Sequence, residues 1–200
     1  MAATSGMVSP LTGYSLSWTV SASELEVTIV AATIGWVGLG LASSGGMHGA
    51  DIMIASVDDS TGVGSIGDYY SVSQAMPVLD EQQDWTLVSA AQSEGTTTIT
   101  ARRALDTSDQ QDWKISSSSP TGQQLIMAMG STDALSQHAP TQRIGFRANL
   151  FRPEDDLSDH MASVRAVAGV QSFNLTTRGY VGAGYVLPLV ISARCDAHKL

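Results

Sequence analysis

The chain has 200 residues, 43% hydrophobic and 14% charged, which is enough apolar content for one packed domain and too much for a disordered segment. Ten basic against 19 acidic residues give a net charge of −9, which repels polyphosphate and anionic headgroups and argues against a nucleic-acid partner. A single cysteine, Cys195, excludes an intrachain disulfide and any Cys-based zinc or iron–sulfur site within the chain.

Period-two alternation is clear at residues 15–20 and again at 24–31. There Leu25, Val27, Ile29 and Ala31 face one way and Glu24, Glu26 and Thr28 the other, as in a half-buried strand. Similar runs at 36–41, 51–57, 69–73, 85–90, 96–102, 124–129 and 143–151 are punctuated by Gly, Ser, Asp and Pro. Between them, GVGSIG at 62–67 and SSSSPTG at 116–122 read as loops. Short strands at this spacing, with no long 3.6-residue apolar stripe, predict an all-β fold. The economical form is an immunoglobulin-like antiparallel β-sandwich of about nine or more strands over residues 14–151.

Residues 152–200 read as a C-terminal extension, with one short helix at 154–167 that starts after Pro153 on acidic residues. Asn174 heads a glycosylation triplet, useful only if the chain enters the secretory pathway. The uncharged run at 180–193 is short and broken by Gly182, Gly184 and Pro188, so no stretch reaches the ~20 apolar residues of a membrane-spanning helix. No basic and apolar leader opens the sequence, which reads as a fragment of a longer protein. Hydrolase, zinc-protease and nucleotide-binding fingerprints do not occur, and the paired Asp155 and Asp156 sit at a solvated helix start, so no catalytic site is expected.

Three stretches, GWVGLGLASSGGMHGADIMIA (35–55), DYYSVSQAMPVLDEQQDW (68–85) and RRALDTSDQQDW (102–113), together resemble the DOMON family. Within it they are most similar to domains that precede copper monooxygenases of the dopamine β-hydroxylase type. The resemblance implies a non-catalytic module of a secreted or membrane-anchored redox protein, held outside the cytosol. It also implies a redox partner protein or adjoining domain, either cytochrome b561-like or a copper monooxygenase.

In haem-binding members an axial Met precedes the strand that here reads ADIMIA, and an axial His lies in the last loops before the closing strand. Met47 and His138 stand at those positions, so the resemblance implies haem b as cofactor; His48, adjacent to Met47, is an alternative ligand, but neighbouring strand residues point oppositely and are not expected to share one face of the iron. A Met/His pair keeps the iron six-coordinate and suits electron transfer rather than oxygen chemistry. If both bind one iron, their loops are expected at the same end of the sandwich. They would face a common apolar pocket floored by Trp36, Met53, Leu125, Met127 and Met129.

A second expectation concerns Asp51, Asp68, Asp80 and Asp84, whose mutual repulsion a hard cation such as Ca2+ would offset. The resemblance implies Asp51 and Asp84 as side-chain ligands, with backbone oxygens from Ile52 and Tyr69. The same carboxylates could instead cap turns. A third option is a stacking platform for a small ligand or carbohydrate built from Trp18, Trp113, Tyr69 and Tyr70.

Overall fold

The computed structural model describes residues 3–119 and 121–153. Its strands are β1 (Thr4–Leu11), β2 (Tyr14–Val20), β3 (Glu24–Ala31), β4 (Val37–Leu41), β5 (Asp51–Val57), β6 (Gly64–Tyr70), β7 (Val78–Leu79), β8 (Thr86–Ser93), β9 (Thr96–Ala104), β10 (Gln123–Met129) and β11 (Arg143–Ala148). A five-stranded sheet in the order β1-β2-β3-β9-β8 and a six-stranded sheet in the order β11-β10-β4-β5-β6-β7 are antiparallel throughout, giving the all-β sandwich expected. The helix at 154–167, Asn174 and the run 180–193 lie outside the described residues, as does the extension beyond Pro153. No helix among the described residues is long and apolar enough to cross a membrane.

The two sheets differ in what covers their outer faces. In the five-stranded sheet, β2 and β3 alternate strictly, with Leu16, Trp18, Val27 and Ile29 inside and Ser15, Ser17, Glu26 and Thr28 turned outward. In the six-stranded sheet, every residue of β4 and nearly every residue of β5 is buried, so both faces are covered. Loops do the covering. Residues 42–50, 71–77 and the β10–β11 connection at 130–142 all fold across that outer face.

Two strands, β1 and β7, escaped the sequence reading and β6 was placed too far along the chain, each for a physical reason. β1 carries Gly6, Ser9 and Pro10 and lies on a sheet edge, where proline is tolerated. A Cβ at Gly6 would lie 2.3 Å from the Trp18 ring, so glycine is what lets β1 cover that ring. The strand expected at 69–73 starts earlier and ends at Tyr70, because residues 64–67 of the GVGSIG segment expected as a loop open β6. A Cβ at Gly64 would lie 2.3 Å from the Cβ of Ala90, so this strand sacrifices side chains to pack against β8. The two-residue β7 is too short to show any period.

The core between the sheets is completed by two hydrogen bonds that satisfy buried aromatic donors. Tyr14 donates its hydroxyl to the Gly38 carbonyl (2.9 Å) and Trp18 Nε1–H to the Leu150 carbonyl (3.0 Å).

Candidate functional site

Strand register decides which side chains reach the outer face of the six-stranded sheet. β4 sits between β10 and β5, with Gly38 opposite Ala128 and Ile54, and Gly40 opposite Ile126 and Ile52. These outward positions, with Trp36, form an apolar cluster separate from the main core, and Met47, Tyr69 and Leu135 pack against it. Because β4 presents only glycine here, a shallow channel runs between Ile52 and Ile54 on one side and Ile126 and Ala128 on the other.

Above that channel lies a cavity of about 640 Å³. Gly38, Gly40, Ile52, Ile54, Ile126 and Ala128 line its floor. Its walls come from Gly45 to Met47, from Gln74 to Pro77, from Leu135 to His138 and from Arg143 to Gly145. This volume falls within the ~300–1,000 Å³ of small-molecule and cofactor sites.

Met47 and His138 therefore line one cavity, but not from the same end. Leu41, the last residue of β4, pairs with Leu125, whereas Val37, the first, pairs with Met129. The loop carrying Met47 thus leaves one end of the sheet and the connection carrying His138 leaves the other. The expected common end is corrected: the two loops converge across the sheet face from opposite ends. His138 Nδ1 is buried with no partner, its ring centroid lies 6.3 Å from that of Trp36, and Trp36 Nε1 is likewise buried and unpartnered. His48, next to Met47, is exposed and does not line the cavity.

The expected floor is also corrected by one residue of register. Met53, Leu125, Met127 and Met129 belong to the core between the sheets, although Met127 also borders the cavity, and of the expected set only Trp36 lies in the outer cluster. Neighbours on a strand point to opposite faces, so a continuous apolar run does not by itself reveal which members face which side.

On the inner side of β5, the acidic residues organise around a cation supplied by the protein. Arg103 of β9 faces into the sandwich and is 2% exposed. Its guanidinium donates to Asp51 of the opposite sheet at 2.5 Å, to Asp112 at 3.1 Å and to the Trp113 carbonyl at 3.3 Å, and it stacks 5.5 Å over the Trp85 ring. Asp51 Oδ2 also accepts the Trp113 N–H. One carboxylate oxygen from each of Asp51, Asp68 and Asp112 lies within 4.8 Å of the others.

Of the residues expected to hold a cation, Asp51 is in this cluster and Asp84 touches it through its backbone, donating its N–H to Asp68 Oδ2 (3.1 Å). The Asp84 carboxylate accepts from Gln82 Nε2. Ile52 and Tyr69 pair with each other in the β5–β6 ladder, with their side chains on the opposite, outer face. Asp80 is buried and accepts the Gln82 N–H, as a turn-capping carboxylate does. Trp18 lies in the core, so the four aromatics share no open face.

Three carboxylates around one guanidinium leave negative charge in excess, and burial penalises it. Burial, and then the Asp51 charge, push the Asp68 carboxyl up to about 7, and the same two causes push Asp112 up to about 6. Burial also raises Asp51, against the pull of Arg103. Because the folded state holds these protons more tightly than the unfolded chain does, it binds more protons between about pH 4 and 7. Stability is therefore expected to fall as pH rises through that window. Asp68→Asn should flatten the profile and raise Tm at pH 7.5 by roughly 4 °C. Melting curves from pH 4 to 8 check this, and a profile that rises toward pH 7 in the wild-type chain contradicts it.

Two of the residues that build these sites went unread in the sequence, although signals existed. Arg103 continues the inward row Thr97, Ile99, Ala101, and an arginine on a core-facing row announces a buried partner. Arg143 opens β11 at the rim of the cavity, and nothing local distinguished it from a surface residue.

Comparison with known proteins places these features in context. Residues 11–130 match the family model described as DOMON domain. The chain is 26% identical over 180 residues to MOXD1 homolog 1 of Drosophila melanogaster, covering 85% of this chain and 24% of that protein. It is 33% identical over 105 residues to DBH-like monooxygenase protein 1 of Gallus gallus, covering 52% of this chain and 17% of that one. It thus spans about a quarter or less of the length of these relatives. Among solved structures, the cytochrome domain of Myriococcum thermophilum cellobiose dehydrogenase shares the fold with a TM-score of 0.53 at 15% identity, over 79% of this chain and 88% of that one.

Proposed function

This chain belongs to the DOMON domain family, and from that premise we propose that it is a non-catalytic electron-transfer module that binds one haem b between Met47 and His138. One observation carries this reading: the two side chains come from loops rooted at opposite ends of one sheet and line a single apolar cavity with a glycine floor. Met47 and His138 would be the residues to hold the group, reaching the one cavity on separate loops. The residues fit the group on one further count: a ring nitrogen of His138, on the cavity wall, has no partner.

Bound there, haem b supplies a one-electron couple whose potential a Met/His pair raises. Met47 and His138 would ligate it, a pair suited to electron transfer rather than oxygen chemistry, while the isoleucines of β5 and β10 would keep water from the floor. The relative named as a DBH-like monooxygenase supports a setting beside a monooxygenase domain in a longer protein, and the family resemblance is what adds a place outside the cytosol and the alternative of a cytochrome b561-like neighbour.

The test is a haem titration of the chain followed by visible spectroscopy. A low-spin Soret and α-band spectrum is expected. Met47→Ala should convert it to a five-coordinate or mixed-spin form, and His138→Ala should weaken haem binding roughly tenfold or more. Absence of the spectrum in the wild-type chain, or its persistence in both variants, removes the assignment.

A second reading, favoured by the buried and unpartnered Oδ1 atoms of Asp51 and Asp68, is a structural module whose acidic cluster takes up a cation such as Ca2+ in place of protons. Calcium should then raise Tm at pH 7.5 more than at pH 5, because protons and the cation offset the same charge. Equal shifts at the two pH values, or none, count against it.

A further inference from the structure

The cavity's charge is as informative as its shape. On a chain of net charge −9, no aspartate or glutamate is among the residues lining it, and the one permanently charged group there is Arg143. Arg143 is exposed at the rim, where β11 begins, and makes no ion pair with a described residue. The two cationic side chains in ion pairs among the described residues, Arg103 and Lys114, serve carboxylates of the protein itself, so Arg143 is available to a ligand in a way they are not. Ser136 and Gln137, on the wall beside His138, add polar groups near that rim.

We infer that the cavity selects a flat apolar ligand carrying an anionic group, and that Arg143 orients it by pairing with that group at the mouth while the apolar body lies over Gly38 and Gly40. The floor offers no hydrogen-bonding side chain, so the ligand's polar end must point outward, and the guanidinium supplies both charge and a planar fork for a carboxylate. For haem b the anionic groups are its propionates. The inference rests on the haem reading for the ligand's identity, but not for the ligand's charge.

Two pairs of probes separate these claims. The first is 8-anilinonaphthalene-1-sulfonate against neutral N-phenyl-1-naphthylamine, titrated by fluorescence into the 200-residue chain. The second is haemin against haemin dimethyl ester, titrated by absorbance. Arg143→Gln should weaken the sulfonate and haemin about fivefold and leave the neutral dye and the ester unchanged, with Arg143→Lys recovering part of the loss. The inference is overturned if Arg143→Gln shifts charged and neutral probes alike, if it shifts neither, or if Gly38→Leu leaves dye binding intact. Haemin that binds with a low-spin spectrum but is indifferent to Arg143→Gln defeats this inference and spares the haem reading. Sulfonate selectivity without any haem spectrum does the reverse.

Discussion

Arg103→Ala should unfold much of the chain's stability, by about 3–5 kcal/mol, because it strands Asp51 and Asp112 in the interior without a counter-charge. Loss of the stacking on Trp85 adds roughly 1 kcal/mol. For a domain with a total stability of about 5–15 kcal/mol, this is a third or more. Arg103→Lys should recover less than half, since one ammonium cannot reach Asp51, Asp112 and the Trp113 carbonyl as the guanidinium fork does. Replacing Arg103 and Asp51 together with apolar residues should cost less than Arg103→Ala alone. Urea unfolding curves measure all three, and a loss under 1 kcal/mol for Arg103→Ala would show that the cluster adjusts by protonation instead.

The second large effect is expected at Gly38. A Cβ there would lie 3.4 Å from the Trp36 ring and 3.7 Å from the Met53 carbonyl, ordinary contact distances, so a larger side chain can be accommodated by the strand itself. Its remaining atoms must then stand in the cavity that Gly38 lines. Gly38→Leu is expected to leave the fold intact, with a gain of up to ~1 kcal/mol from replacing a strand glycine. It should also cut haem affinity by at least about a hundredfold, since the leucine occupies the floor on which the macrocycle lies. Haem titration and thermal melting of the same sample separate the two effects. Unchanged haem affinity would place the cofactor elsewhere.

Fold and site were legible to different depths. In β2 and β3 one face is solvated, so polar and apolar residues alternate and the strands declare themselves. In β4, β5 and β10 both faces are buried, and runs such as Ile52-Met53-Ile54-Ala55 announce a covered sheet without saying which residue faces which way. The sequence therefore points as readily to Met53, Leu125, Met127 and Met129 for the floor as to Ile52, Ile54 and Ile126, which occupy it. Met47 and His138 could be named from resemblance, but their approach from opposite ends depends on strand pairing 84 or more residues apart in sequence, as between Leu41 and Leu125. The outward parity of Gly38 and Gly40 in β4, which turns them into a floor, required the register.

The covering of the six-stranded sheet by loops divides the molecule into two tiers of protection against solvent exchange. Amides in β2, β3 and β9 are held in long ladders around the core and can exchange only when the whole sandwich opens. The segments at 42–50 and 130–142 are pinned near their ends, by Ala42 N–H to the Gln124 carbonyl, Gly49 N–H to the Ser71 carbonyl and Gly130 N–H to the Trp36 carbonyl, but residues 43–48 and 134–138 between those points make no hydrogen bond to the two sheets, so these spans can lift while the sandwich stays closed. A ligand clasped between them therefore adds little to the global melting of the sandwich and much to the lifetime of the closed loops. Its grip is set by the opening of these flaps rather than by the unfolding of the domain.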